Sequence, residues 1–328
     1  MHPFEYIRVT DVRHAVATAA AVQGAAFLAG GTTQVDLMKD GVLAPQVLID
    51  ITGLPLRGVT AGGGVLRVGA LTTMEELAAD PVVAQRLPVV RESLLLAAST
   101  QLRNMATVAG NLLQRTRCRY YRDLSCACNK RAPGSGCDAL DGHHRMHAIL
   151  GTSEHCIATH ASDLAVALVA LDAVVHVRGA GGERAVPLTG FYRAPGEDPS
   201  VENALEPGEL ITSVEVPLLP EGARSGYLKV RDRASYEFAL ASAAVALVIT
   251  DGVTRDARLA LGGLATVPWR SRAAEEVLRG APVTPETCAA AAEAALSGAS
   301  PRTGNAFKVK LGQRTVARAL SLVAGLPG

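Results

Sequence analysis

Five of the six cysteines in this chain fall between Cys118 and Cys156, spaced Cys118-x9-Cys128-x8-Cys137-x18-Cys156 with Cys126 as a fifth. Four thiolates around one centre are what an iron–sulfur cluster or a structural zinc requires. Zinc sites favour thiols two to four residues apart. Only Cys126-x-Cys128 comes near that, and it is tighter than the usual knuckle. Long, irregular spacings suit a loop wrapped around a cluster, and zinc or a metal-free loop are the rival readings. Six cysteines in 328 residues are too few for a disulfide scaffold. Lys130 and Arg131 beside them also argue against simple pairing. His143, His144, His147, His155 and His160 read as solvated or hydrogen-bonded loop residues, and Cys288 as a core thiol of a C-terminal helix.

A second constellation is built from small residues. Ala29-Gly30-Gly31-Thr32-Thr33-Gln34 joins an apolar strand to a short helix. Glycines there let the backbone approach a diphosphate, and amides and threonine hydroxyls can donate to it. The motif is neither GxGxxG nor a Walker loop, and a purely structural turn explains it as well when it stands alone. Thr107 to Asn111 offers a second small-residue turn ending in Gly110-Asn111. The two together fit one bound dinucleotide.

The elements that must position these groups are read from periodicity and punctuation. A strand is expected over 4–10, then a helix capped by Asp11 through about 22, a strand over 26–29, a helix over 35–39 and a strand over 47–50. Residues 59–70 read as a hairpin turning at Gly62-Gly63-Gly64, and Thr72-x-x-Glu75 as a capping box before a helix. Another helix is expected over 89–98. Residues 114–156 show no periodicity and read as an irregular insertion, a loop length that is usually functional. Beyond it come a helix over 163–170 and strands over 174–178 and 209–217. Pro195, Pro199, Pro207, Pro217 and Pro220 mark a linker region. The last part reads as strands over 227–231, 241–250 and 257–262, then helices over 272–278, 285–295 and 307–322, segregated to one face of a sheet.

Composition limits the alternatives. Hydrophobic residues make up 48% of the chain and aromatics 4%, so an Ala/Val/Leu core is available. The 32 basic and 31 acidic residues balance, which leaves no electrostatic footprint for nucleic acid or an anionic membrane. No apolar run reaches the length of a membrane span. The Ala-rich stretch 15–29 follows Arg8 and Arg13, but Glu5, Asp11, Gln23 and Gly24 interrupt a signal-peptide pattern, so a helix and a strand are expected instead. No Ser–His–Asp set and no carboxylate pair stands out.

The two turns, with Asp36-Leu37-Met38-Lys39 after the first and Leu112 after the second, resemble the FAD-binding subunits of the molybdenum hydroxylases, the xanthine dehydrogenase family. Gln114 to Cys118, Cys128 to Arg131, Pro133 to Cys137 and Cys156 to His160 narrow the resemblance to the flavin subunits of bacterial three-subunit aldehyde oxidoreductases. The resemblance implies an α+β fold: a two-part FAD-binding domain, 1–221, with a [4Fe-4S] insertion at 114–156, and a smaller α+β domain, 222–328. It implies FAD contacts from Ala29, Gly30, Gly31, Thr32, Thr33, Gln34, Thr107, Gly110, Asn111, Asp163, Ile211 and Lys229. It assigns the cluster to Cys118, Cys128, Cys137 and Cys156, with Cys126 as a possible substitute for Cys128.

By the same resemblance, the implied role is electron transfer. A large molybdenum-cofactor subunit would oxidise an aldehyde, a small subunit with two [2Fe-2S] clusters would pass the electrons on, and the flavin would deliver them to an external acceptor. The assembly would be a heterotrimer or its dimer, periplasmic by co-export with a partner, or alternatively cytoplasmic. A related hydroxylase acting on an aromatic acyl-CoA, a purine or carbon monoxide is the alternative, and a zinc-stabilised interaction module without redox activity the more distant one.

Overall fold

The computed structural model describes residues 1–327. The chain opens with a three-stranded parallel sheet. Val47–Asp50 lies between Glu5–Arg8 and Ala25–Leu28. Val47–Asp50 is buried on both faces, as a central parallel strand must be. The helix Val12–Ala21 connects the outer strands, and the Asp11 carboxylate caps it by accepting from the His14 amide at 2.8 Å. The Ala-rich stretch is thus a helix followed by the strand Ala25–Leu28.

A five-stranded antiparallel sheet follows, ordered Val59–Gly62, Val65–Gly69, Leu210–Pro217, Val174–Gly179, Gly182–Pro187. The proline-marked stretch therefore contributes the central strand of this sheet and is more than a linker. Between the second and fourth strands the chain makes the helices Met74–Ala79, Pro81–Arg86 and Pro88–Leu95.

The capping box lies one residue later than expected. Thr73 accepts from the Glu76 amide at 3.2 Å, and Glu76 returns the bond to the Thr73 amide at 2.9 Å. The run Thr72-Thr73-Met74-Glu75-Glu76 permits either register. The choice is tertiary, because the Thr72 hydroxyl is taken by the Gly58 amide at 2.9 Å.

The helix Asp163–Ala170 is buried along all eight residues. The four-stranded antiparallel sheet Trp269–Arg270, Val253–Gly262, Ala241–Thr250, Arg224–Val230 packs against it. Ala244 and Ala246 of the third strand face this central core. Ala243, Val245 and Leu247 face a second core built with Arg272–Leu278, Pro285–Ala295 and Phe307–Ala324. Helices therefore cover both faces of that strand, where the sequence pattern predicts one face only.

The insertion has one short helix, Arg119–Arg122, and an isolated antiparallel β-bridge between the backbones of Cys128 and Cys137, whose thiols are free. What it lacks in secondary structure it makes up in ties to its surroundings. Tyr121 is buried against Leu37. Arg122 pairs with Asp36 at 2.7 Å and Asp40 at 3.0 Å, both on or next to the helix Gln34–Lys39. From the C-terminal side, the fully buried Lys308 donates to the carbonyls of His147 at 3.0 Å and Gly263 at 2.7 Å.

Burial, helped by the charge of Arg145, brings Lys308 down from 10.5 to about 7. Between those values the unfolded chain holds a proton that the folded chain has released, so stability rises with pH across that window. The stability gap between the wild type and Lys308→Met should therefore widen in favour of the wild type from pH 7 to pH 10. Paired calorimetric scans at the two pH values check this, and a constant gap would refute it.

Candidate functional site

Gly30 and Gly31 follow the strand Ala25–Leu28 and bring two segments into contact. A Cβ on Gly30 would lie 1.8 Å from the Met105 carbonyl oxygen, and Gly31 adopts φ +70°. No side chain except glycine's permits that approach. Thr33 begins the helix Gln34–Lys39 without spending its hydroxyl on a cap.

The second small-residue segment is not a turn. Thr107 caps a short helix, Val108–Leu112, by accepting from the Gly110 amide at 3.2 Å, so Gly110 and Asn111 are helical. Asn111 in turn accepts a hydrogen bond from Ser162, the cap of the helix Asp163–Ala170.

Asp163 sits in the first turn of that helix and is buried. Lys229 donates to its Oδ2 at 2.7 Å and Tyr227 to its Oδ1 at 2.7 Å, while the Tyr227 oxygen lies 2.8 Å from Ser242 Oγ. The Lys229 side chain is 1% exposed and also donates to the Leu96 carbonyl at 3.1 Å. Burial raises the Asp163 carboxyl above its usual range, against the pull of Lys229 and Tyr227. Tyr227 and Ser242 were not singled out from sequence. Tyr227 was within reach, since residues two apart on a strand share a face.

These groups line one cleft. Thr32, Thr33, Gly110, Asn111, Asp163 and Lys229 line one part of it. Ala29, Gly30, Gly31, Gln34, Thr107 and Ile211 line the adjoining part, which shares Thr32, Thr33 and Gly110 with the first. A further hollow shares Asp163, Arg117 and Phe238 with the first part and reaches Cys118 and His147. The cleft thus has backbone and hydroxyl donors at one end, a buried carboxylate–ammonium pair at the other, and a passage toward the cysteines. An elongated phosphate-bearing cofactor fits this distribution of donors.

The thiols divide into two sets. Burial pushes Cys118 up to about 12, with the charges of Cys128 and Cys156 adding to it. Cys156 is raised by burial and by Cys137 and Cys128, and Cys137 by burial and by Cys128. Cys128 is thus a neighbour common to the other three. Cys126 does not belong with them: its charged neighbours are Asp123 and Asp138. Among the described residues no group of three or more His, Cys, Asp or Glu side chains is gathered tightly enough to hold a single metal ion.

One of the loop histidines is hydrogen-bonded, as expected, and also buried. His147 is buried, and its Nε2 lies 3.2 Å from Cys118 Sγ. Cys288 is buried in the helix Pro285–Ala295.

Comparison with known proteins places these features in a lineage. Residues 2–219 match the family described as "FAD binding domain in molybdopterin dehydrogenase", and residues 226–323 the "CO dehydrogenase flavoprotein C-terminal domain". The chain is 49% identical over 325 residues to the aldehyde oxidoreductase FAD-binding subunit PaoB of Escherichia coli, covering 98% of both chains. It is 28% identical to the carbon monoxide dehydrogenase medium chain of Hydrogenophaga pseudoflava, covering 97% of this chain and 96% of that one. A solved structure of the Hydrogenophaga pseudoflava enzyme superimposes with a TM-score of 0.79 over 99% of each chain, at 28% identity.

Proposed function

The chain belongs to the FAD-binding subunits of the molybdenum hydroxylases, and from that premise we propose that it is the electron-transfer flavoprotein of an aldehyde oxidoreductase, carrying a [4Fe-4S] cluster beside its FAD. The observation that carries the proposal is that Cys118 and Cys128 pack in one cluster, that a backbone β-bridge sets Cys137 beside Cys128, and that Cys118 lines the hollow opening into the cofactor cleft. The 49% identity to an aldehyde oxidoreductase subunit supports the substrate class. Relatives named as FAD-binding subunits and medium chains support a role as one part of a larger enzyme. On this reading aldehyde oxidation takes place on a large molybdenum-cofactor subunit, and a small [2Fe-2S] subunit feeds electrons to this chain. Among the described residues no helix is long and apolar enough to cross a membrane.

FAD, when bound, can accept electrons one at a time and deliver two. The chain's own task is to hold and orient it. Gly30 and Gly31 bring main-chain amides to the diphosphate, and Thr32 and Thr33 add hydroxyl donors. Lys229 brings a fixed positive charge to the other end, and Asp163 and Leu96 hold that ammonium in place. Ile211 lines the cleft with an apolar surface.

The thiol arrangement favours a cluster over zinc. Zinc sites favour thiols two to four residues apart, and the long spacings Cys118-x9-Cys128-x8-Cys137-x18-Cys156 suit irons that each take one thiolate. Iron analysis of the anaerobically purified complex tests the ligand set. Cys118→Ser, Cys128→Ser, Cys137→Ser and Cys156→Ser should each lose the cluster's iron, and Cys126→Ser should keep it. Retention in any of the first four, or loss in the last, would break the assignment. Periplasmic location by co-export remains part of the proposal, and fractionation of expressing cells tests it.

A further inference from the structure

We propose that the hollow beside the FAD cleft is a separate binding site for a small organic monocarboxylate with an apolar body. The inference goes beyond the electron-transfer reading and needs no metal cluster. The hollow encloses about 440 Å³, within the range of small-molecule sites. Of the residues assigned to FAD, only Asp163 lines it. Arg117 and Phe238 stand between it and the first part of the cleft and line both spaces. The Arg117 guanidinium carbon lies 5.0 Å from the centroid of the Phe238 ring, a cation–π stack that forms the dividing wall.

The hollow has donors to spare and no negative charge left over. Its two carboxylates are countered from outside it: Lys229 pairs with Asp163 at 2.7 Å and Arg233 with Glu237 at 3.4 Å, and neither cation lines the hollow. Of its three guanidiniums, Arg117 pairs with Asp36 at 3.1 Å and Arg145 with Asp232 at 2.7 Å. Arg119 is exposed, and among the described residues no carboxylate lies within ion-pair distance of it. The surplus is a single guanidinium, which matches a carboxylate better than a phosphate dianion.

Neutral donors complete the set. The Ser162 amide donates to His160 Nδ1 at 3.3 Å, so the proton of the neutral ring lies on Nε2. Burial, with the charge of Lys130 adding to it, brings His160 from 6.5 down to about 3 and keeps the ring neutral. Among the described residues the His160 Nε2–H has no hydrogen-bond partner, and Arg117 Nε is buried without one. Unpaired donors of this kind are satisfied by an anionic oxygen. Met146, Ala161, Phe238 and Ala239 supply apolar surface for the rest of the ligand.

Calorimetric titration of the FAD-loaded complex with benzoate tests the site, with benzamide and inorganic phosphate as the other arms. Benzoate should bind saturably, with a component that Arg119→Gln weakens by about tenfold or more. Neither benzamide nor phosphate should compete for that component. A carboxylate bound on a partner subunit would not respond to Arg119→Gln. Should Arg119→Gln lose its FAD, the wild type decides by phenylglyoxal labelling read by peptide mass spectrometry. Benzoate should then protect Arg119 from modification, and benzamide should not. Benzoate binding untouched by Arg119→Gln, or equal labelling of Arg119 with and without benzoate, would overturn the inference. Equally tight binding of phosphate would overturn the assignment to an organic acid.

Discussion

Gly30→Val is expected to yield a complex almost devoid of FAD, and Gly30→Ala one with most of its FAD lost. The cause is main-chain contact. A Cβ at this position would sit 1.8 Å from the Met105 carbonyl oxygen, 2.7 Å from its carbon and 3.2 Å from Ala106 Cα. None of these atoms is the end of a flexible side chain, so relief requires the two walls of the cleft to part. Overpacking of this kind costs about 1–3 kcal/mol or more, and about 1.4 kcal/mol of misfit in the bound state weakens binding about tenfold. Gly62→Ala is the control, because a Cβ there meets nothing within 4 Å. Flavin absorbance per chain, measured beside the melting temperature, reads the result. Full flavin in Gly30→Val would show that the close approach does not shape the site.

Lys229→Met should have the second large effect. It leaves the Asp163 carboxyl buried with only the Tyr227 hydroxyl as a partner. Removing one member of a buried ion pair costs about 3–5 kcal/mol, because the remaining charge is uncompensated. Asp163→Asn should be costly too, since it leaves the buried Lys229 ammonium without its counter-charge. The double variant Asp163→Asn/Lys229→Met should be more stable than Lys229→Met alone, which is the signature of direct coupling. Denaturant unfolding of the four proteins measures it, and additive losses would contradict the pairing. Both single variants should also bind FAD less tightly, because one lacks the ammonium at the end of the cleft and the other the carboxylate that holds it there.

The chemistry was more legible in the sequence than its geometry. The cysteines declared themselves because they come from one contiguous insertion whose composition differs from its surroundings. Which of Cys126 and Cys128 lies with the other thiols was not legible. A turn at Leu124-Ser125 and a bend at Cys126 precede the backbone β-bridge that sets Cys128 beside Cys137. The first glycine segment was legible as a strand–turn–helix transition. Gly110-Asn111 was misread as a turn because the signal that overrides it, the Thr107 cap, competes with ordinary turn chemistry in the same five residues. Lys229 looked as much like a surface residue as a functional one. Its burial depends on Asp163 and Leu96, which lie far away in the chain, and no local pattern reports that. The second apolar face of Ala241–Thr250 was hidden for the same reason, since its partner is the helix Asp163–Ala170.

The most direct test of the account is the spectroscopic inventory of the complex isolated anaerobically with its natural partners. Iron-isotope Mössbauer spectroscopy, combined with flavin analysis, should find one FAD and one four-iron cluster for each copy of this chain, beside the [2Fe-2S] signals of the small subunit. A complex that contained FAD but only [2Fe-2S] iron, with zinc or free thiols at Cys118, Cys128, Cys137 and Cys156, would contradict it.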